Sequence, residues 1–407
     1  MKKTLALIFY SLFLFTGMFP IPMANNAPQG PPPFSYYYPE SASLNNSFGN
    51  AMDMTPDGNR IVVGANQDTV QGNTYKGKVY LYGRNGNTYS LEQVIPNPEY
   101  TGAGGNFGSS VAISSDGNRI VIGFPGNYYT TGGTWNPGSY YIYTRDTSTG
   151  VWSSLQEINP TDQRNSDGMG SVADMTSDGQ YIIIGSSNYL GNSVGRAWVY
   201  KWNGSSYALW ESITSPTGAT YAYFGNWISV SPNGTYLAVG HYLDATGATG
   251  AGSIYVYTWN GTQFTATTPK KIPNPTPASN ERFGMRIAIA DNGSLIATCL
   301  NTNEVYVYGQ SGGVWTLKGT YAGYSTTGGN GWVSISPSGD QFATSNQSNN
   351  AYRWSFDGTT SIIIRQYTDT RMYITTSVFS SDGITLLFAG PQPAPGSFIL
   401  YRSAPFE

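Results

Sequence analysis

The sequence predicts an all-β protein, a seven-bladed β-propeller of four-stranded antiparallel blades, on three observations. Two short apolar strands joined by a Ser-, Asp- or Asn-Gly turn occur seven times, at Asp57-Gly58, Asp116-Gly117, Asp178-Gly179, Asn233-Gly234, Asn292-Gly293, Ser338-Gly339 and Asp382-Gly383. The turn glycines are 59, 62, 55, 59, 46 and 44 residues apart, the period of a supersecondary unit repeated in a closed array. Composition agrees: 14% aromatic residues and 50 glycines suit short packed strands and tight turns, while 11% charged residues is well below the usual quarter.

Each repeat reads as four strands. In the second, residues 107–114 form the inner strand, Asp116-Gly117 the turn and residues 119–123 the next strand. Asp and Gly tolerate the positive φ of a tight hairpin, so this dipeptide between β-rich runs marks one. Asp57, Asp116, Asp178 and Asp382 are accordingly read as turn formers, whose carboxylates bond their own backbone. Ile120-Val121-Ile122 does not alternate with polar residues, which predicts burial on both faces, between neighbouring blades.

The third strands fall at residues 77–82, 138–143, 195–200, 252–257, 305–308, 351–354 and 396–401, rich in Tyr, Val and Ile. Fourth strands follow a further tight turn, as at Asn85-Gly86 before residues 89–95 and Asn203-Gly204 before residues 207–213. No fourth strand follows the seventh repeat, whereas an unassigned β-like run, Phe34-Ser35-Tyr36-Tyr37-Tyr38, precedes the first. That run is expected to be the missing outer strand and to close the ring, leaving no exposed edge.

Phe-Gly heads the first strand at Phe48-Gly49, Phe107-Gly108, Phe224-Gly225 and Phe283-Gly284, with Met169-Gly170 as a variant; the second strand ends in Gly, and the third reads Gly-x-Val-Tyr-x-Tyr. This pattern resembles the FG-GAP repeat, the unit of the integrin α-subunit propeller, over nearly all of residues 34–407. The sixth repeat keeps only Gly331, and the seventh has Tyr373-Ile374 at that place. Calcium-binding FG-GAP repeats carry an acidic D-x-D-x-D-G loop, because Ca²⁺ takes six to eight oxygen ligands. Here each first turn offers one carboxylate at most, so the resemblance implies the fold without metal or cofactor. WD-repeat and sialidase-type propellers fit less well, since neither a Gly-His…Trp-Asp signature nor an S-x-D-x-G-x-x-W box is present.

At the N-terminus, Met1-Lys2-Lys3 precedes an uncharged apolar run from Leu5 to about Phe19, then Pro20, Pro22 and Ala24. Residues 1–24 therefore read as a signal peptide or signal-anchor, residues 25–33 as a Pro-rich linker, and residues 34–407 as one propeller domain. The expected location is extracellular, secreted or anchored at a cell or virion surface. Any membrane contact would run through residues 1–24 if they stay uncleaved. A single cysteine excludes an internal disulfide; Cys299 stands where Gly123 and Gly185 end their strands and is expected to be a buried thiol. Asn45, Asn203, Asn233, Asn260, Asn292 and Asn346 head N-x-S/T sequons.

Net charge is −3, with no basic stripe, which argues against nucleic acid as a partner. With one histidine, His241, expected in a loop, and one cysteine, neither a His-based triad nor a His/Cys metal site can be assembled. The expectation is a protein without enzymatic activity. In a four-stranded blade, the two–three loops and the inter-blade connections share one face. The long loops at residues 65–76, 124–137, 186–194 and 241–251, with connections at 97–106 and 215–223, carry Tyr75, Tyr100, Tyr128, Tyr129, Trp135, Tyr189, Tyr221, Tyr223 and Tyr242 among Gly, Asn, Ser and Thr. Stiff aromatics among small polar residues make a binding surface. Tyr75, Tyr128, Tyr129, Trp135, Tyr189, Tyr221, Tyr223 and Tyr242 are thus candidate ligand-binding residues for a protein or glycan. The alternatives are a structural tile or spike of a virion or cell-surface assembly and, third, a propeller enzyme acting on a polysaccharide.

Overall fold

The computed structural model describes residues 35–39, 47–70, 76–98, 105–126, 138–160, 169–186, 195–218, 223–298, 304–322, 332–345, 350–368, 374–380, 385–390 and 397–402. Among them are seven four-stranded antiparallel sheets and no α-helix. In six sheets the spatial order of strands follows the chain. In the seventh, Thr376–Phe379, Thr385–Gly390 and Ser397–Arg402 are followed by Ser35–Tyr37, with Tyr37 opposite Phe398.

Alternate residues of each second strand serve different cores. Ile120 and Ile122 pack with Val62, Val79 and Leu81 of blade one, whereas Val121 packs with Ile182, Ile184 and Trp198 of blade three. Both sets are fully buried, as a strand without polar alternation requires. Stability therefore resides between the blades, where each such side chain contributes roughly 1.5–3 kcal/mol by leaving water.

The Phe-Gly motif is the fastening between blades. A Cβ on Gly123 would lie 2.0 Å from the Gly170 carbonyl oxygen, and one on Gly138 2.3 Å from that of Met169. Met169-Gly170 of blade three thus sits directly on two glycines of blade two, at an approach no side chain permits. Gly64 and Gly77 hold Phe107-Gly108 in the same way, as Gly240 and Gly252 hold Phe283-Gly284. The paired first strand of blade two is only Val111–Ile113, shorter than the expected residues 107–114, although the Gly108 amide still donates to the Gly123 carbonyl ahead of it.

The first turns are built by their aspartates. Asp57 Oδ1 accepts from Thr55 Oγ1 at 2.6 Å and from the Asn59 amide at 2.9 Å. Asp116 and Asp178 repeat this with Ser114 and Asn118, and with Thr176 and Gln180. Asp382 lies outside the described residues. At the outer rim, five blades share a β-bulge between third and fourth strands, at Leu81/Tyr82, Ile142/Tyr143, Val199/Tyr200, Val307/Tyr308 and Arg353/Trp354. The extra residue is pushed outward, which is why Leu155, Trp210 and Ile364 are exposed.

Blade seven meets blade one through Tyr37. Its ring stacks on Phe398 at 4.5 Å, and its hydroxyl accepts from the Tyr89 amide at 2.9 Å. One expectation needs correcting. The residue equivalent to Gly123 is Thr298, whose carbonyl accepts from Gly284 as that of Gly123 accepts from Gly108. The turn of blade five is one residue shorter, since its closing hydrogen bond joins Ala290 to Ser294 where blade two joins Ser114 to Arg119. Cys299 itself lies outside the described residues.

Candidate functional site

Of the aromatic residues expected on the long-loop face, Tyr223 and Tyr242 are described, and they meet. Their ring centroids are 5.0 Å apart at 34°, and the Arg282 guanidinium lies 5.8 Å from the Tyr242 centroid. Tyr75, Tyr128, Tyr129, Trp135, Tyr189 and Tyr221 fall outside the described residues. Tyr223 and Arg282 each precede a Phe-Gly pair and have φ of 55° and 58°, the left-handed region. Ser47 and Asn106 hold the equivalent places in blades one and two with similar φ. Asn tolerates that backbone more readily than Tyr or Arg, so blades four and five keep large side chains at a conformational cost. Sequence reasoning missed Arg282; its place directly before Phe283 was the available signal.

His241 is not the loop residue expected. It ends the strand Tyr236–His241 and is fully buried, because the strand runs one residue past Gly240. Its Nδ1 lies 3.3 Å from Asp244 Oδ2, which also takes Lys271 Nζ at 2.7 Å and Ser253 Oγ at 2.7 Å. Burial works to raise the Asp244 carboxyl, but His241, Lys271, Thr246 and Ser253 outweigh it and hold it well below the ordinary carboxylate range. Blade one has a counterpart in Asp68, bonded by Tyr80 Oη at 2.5 Å and 3.4 Å from Lys78 Nζ. Gly77 and Gly252 donate to the carbonyls of Asp68 and Asp244. Both aspartates therefore tie the two–three loop to the head of the third strand, and His241 packs against Phe224 beneath it.

A second site lies where no loop suggested one. The first strands of all seven blades line a central cavity of about 450 Å³. The turn-closing hydrogen bonds fix which residues share a level. One level holds Asp53, Ala112, Asp174, Ser229, Ala288, Ser334 and Val378. Asp53 Oδ2 accepts from the Ile113 amide and Asp174 Oδ2 from the Val230 amide, both at 2.8 Å, so each carboxylate clasps the next blade. Burial pushes Asp53 up to about 6 against those backbone hydrogen bonds. Asp174 is pushed up to about 7 by burial, with the Asp53 charge adding to it.

The level nearer the Phe-Gly end holds Ala51, Ser110, Val172, Trp227, Arg286, Trp332 and Thr376. Its three large members stand on consecutive blades and touch. The Arg286 guanidinium is 4.3 Å from the Trp227 centroid and 5.5 Å from that of Trp332, and the two indoles meet edge to face at 5.0 Å. Trp227 Nε1 donates to the Ile287 carbonyl at 2.9 Å, which fixes the indole. Burial brings the pKa of Arg286 down to about 10. Among the described residues no group of three or more His, Cys, Asp or Glu is placed to hold a metal ion.

Residues 210–257 match the family model of the FG-GAP repeat. The matched segment runs from within the fourth strand of blade three, Tyr207–Thr214, through the first two strands of blade four and most of the third, Ser253–Thr258. No curated protein matches the sequence.

Proposed function

We propose that this seven-bladed propeller, with its FG-GAP repeat, is a non-enzymatic extracellular recognition or adhesion module that holds a protein or glycan on its long-loop face. FG-GAP propellers are commonly extracellular binding domains, and that fold is compatible with the role. The observation that carries the reading is the Tyr223–Tyr242–Arg282 cluster, two aromatic rings and a cation gathered at one rim position on strained backbone. Aromatic and arginine side chains are the usual energetic anchors of an interface. A glycan array and a cell-surface pull-down, each run with wild type, with Tyr242→Ala plus Arg282→Ala, and with Asn118→Ala plus Asn203→Ala on the short-turn face, test it. The loop-face pair should weaken capture by about 2 kcal/mol or more and the other pair should leave it unchanged. Greater sensitivity of the short-turn face would refute the reading.

A second reading, a tile of a surface or virion assembly, has one observation in its favour: Leu209, Trp210, Val314, Leu317, Ile362 and Ile364 are exposed on outer strands. Concentration-dependent assembly abolished by Trp210→Ser and Ile362→Ser would support it, and a monomer at all concentrations would remove it.

A further inference from the structure

We propose that the Trp227–Arg286–Trp332 end of the central channel binds the carboxylate of an acidic sugar residue. This site is separate from the Tyr223–Tyr242–Arg282 cluster and does not depend on the reading of that face.

The first ground is an unbalanced charge. Among the described residues no carboxylate lies within ion-pair distance of Arg286; the arginine and lysine pairs are Arg60–Glu92, Lys78–Asp68 and Lys271–Asp244. Its Nη1 donates to the Met285 carbonyl at 3.1 Å, and its Nε is buried without an acceptor. Two indole faces stabilise a cation but accept none of its in-plane N–H groups. A guanidinium held between two indoles, with donors to spare, suits bidentate pairing with a carboxylate.

The second ground is the space in front of it. A cavity of about 450 Å³ is the size of a small-molecule site, large enough for one or two sugar residues. The third is the chemistry of the next level of the cavity. Asp53, Asp174 and Ser229 lie two residues deeper along the strands and line the same cavity. They offer acceptors to sugar hydroxyls, and the two carboxylates disfavour a second anionic group there. The indoles supply apolar surface for sugar C–H faces. Together these features select a polyhydroxylated ligand with a single carboxylate at the arginine end.

The test titrates the full chain with D-galacturonate and D-glucuronate, with galactose and glucose, with sodium acetate and with a short acidic peptide, at constant ionic strength. Calorimetry reads binding and tryptophan fluorescence gives a second readout. A uronate is expected to saturate with a Kd below about 1 mM, at least tenfold tighter than acetate, the neutral sugars or the peptide. Arg286→Gln should abolish saturation. Arg286→Lys keeps the charge but not the fork and should weaken binding at least fivefold, which decides the matter if the Gln variant does not fold. Uronate bound no tighter than acetate, peptide bound more tightly than uronate, or unchanged uronate binding by a folded Arg286 variant would overturn the proposal.

Discussion

The two sides of the central channel carry opposite charges at neighbouring levels of the same strands. Blades one and three turn Asp53 and Asp174 to it and use each carboxylate to bond the next blade's amide. Blade four makes the same bond without charge, since Ser229 Oγ accepts from the Ile289 amide at 3.3 Å. Blades four to six instead carry Trp227, Arg286 and Trp332, where blades one to three have Ala51, Ser110 and Val172. The axial positions thus vary from blade to blade, while the second strands, buried on both faces, keep the cores between blades.

The largest expected effect comes from disturbing the seam that holds those sides opposite one another. Deleting residues 1–40 removes Ser35–Tyr37 and leaves Ser397–Arg402 as an edge strand, so aggregation or a large fall in melting temperature should follow. A monomeric truncation with unchanged melting would show that the ring does not need this strand. Next, Trp227→Ala empties volume and leaves the Ile287 carbonyl without its donor, at a cost of about 3 kcal/mol. Its counterpart Ser110→Ala loses one bond to the Gly170 carbonyl, about 1 kcal/mol. Equal costs in denaturant titrations would erase the contrast between the sides.

The acidic side should announce itself in pH. Asp53 and Asp174 have folded-state values raised to about 6 and about 7. The folded protein therefore holds protons that the unfolded chain has released. Their contribution is complete below the ordinary carboxylate value near pH 4 and is lost as pH rises toward 7. Asp174→Ser, which copies blade four's neutral solution, should flatten the fall in stability between pH 4 and 8 by an amount on the order of 2–3 kcal/mol. Thermal melts across that range check it, and a slope left unchanged would count against it.

On the cationic side, Arg286→Met should be neutral or stabilising, by up to about 2 kcal/mol, because it removes a buried charge without a carboxylate partner. Marked destabilisation would mean that the guanidinium has become structural. The smallest expected effect is none: EDTA should not move the melting temperature, since among the described residues no three His, Cys, Asp or Glu stand together to hold a metal ion.

Blade number, strand order and the burial of the second strands were legible because they rest on local signals, a Gly turn and an unbroken apolar run, that recur at every repeat. The Tyr223–Tyr242 pairing was legible in part, as aromatic residues on loops of one face. Arg286 and its tryptophans were not, because nothing local marks them as axial. They stand out only when the first strands are aligned on their turns, where three large side chains break a column of small ones. A one-residue difference in turn length, as before Leu295, shifts that alignment by one and conceals the column; the same slip exchanged Cys299 for Thr298. His241 was misplaced because glycine was taken as the strand's end, whereas the ladder continues to the Phe224–His241 pair.

The glycine contacts around each Phe-Gly pair bear on how such a molecule can change over generations. Half of every fastening belongs to one blade and half to its successor, so no blade is complete in itself. A side chain placed at such a joint would meet a carbonyl 2.0 Å away, as at Gly123. The joints therefore hold their glycines fixed through every generation, while the level of Ala51, Ser110, Val172, Trp227, Arg286, Trp332 and Thr376 has diverged from blade to blade.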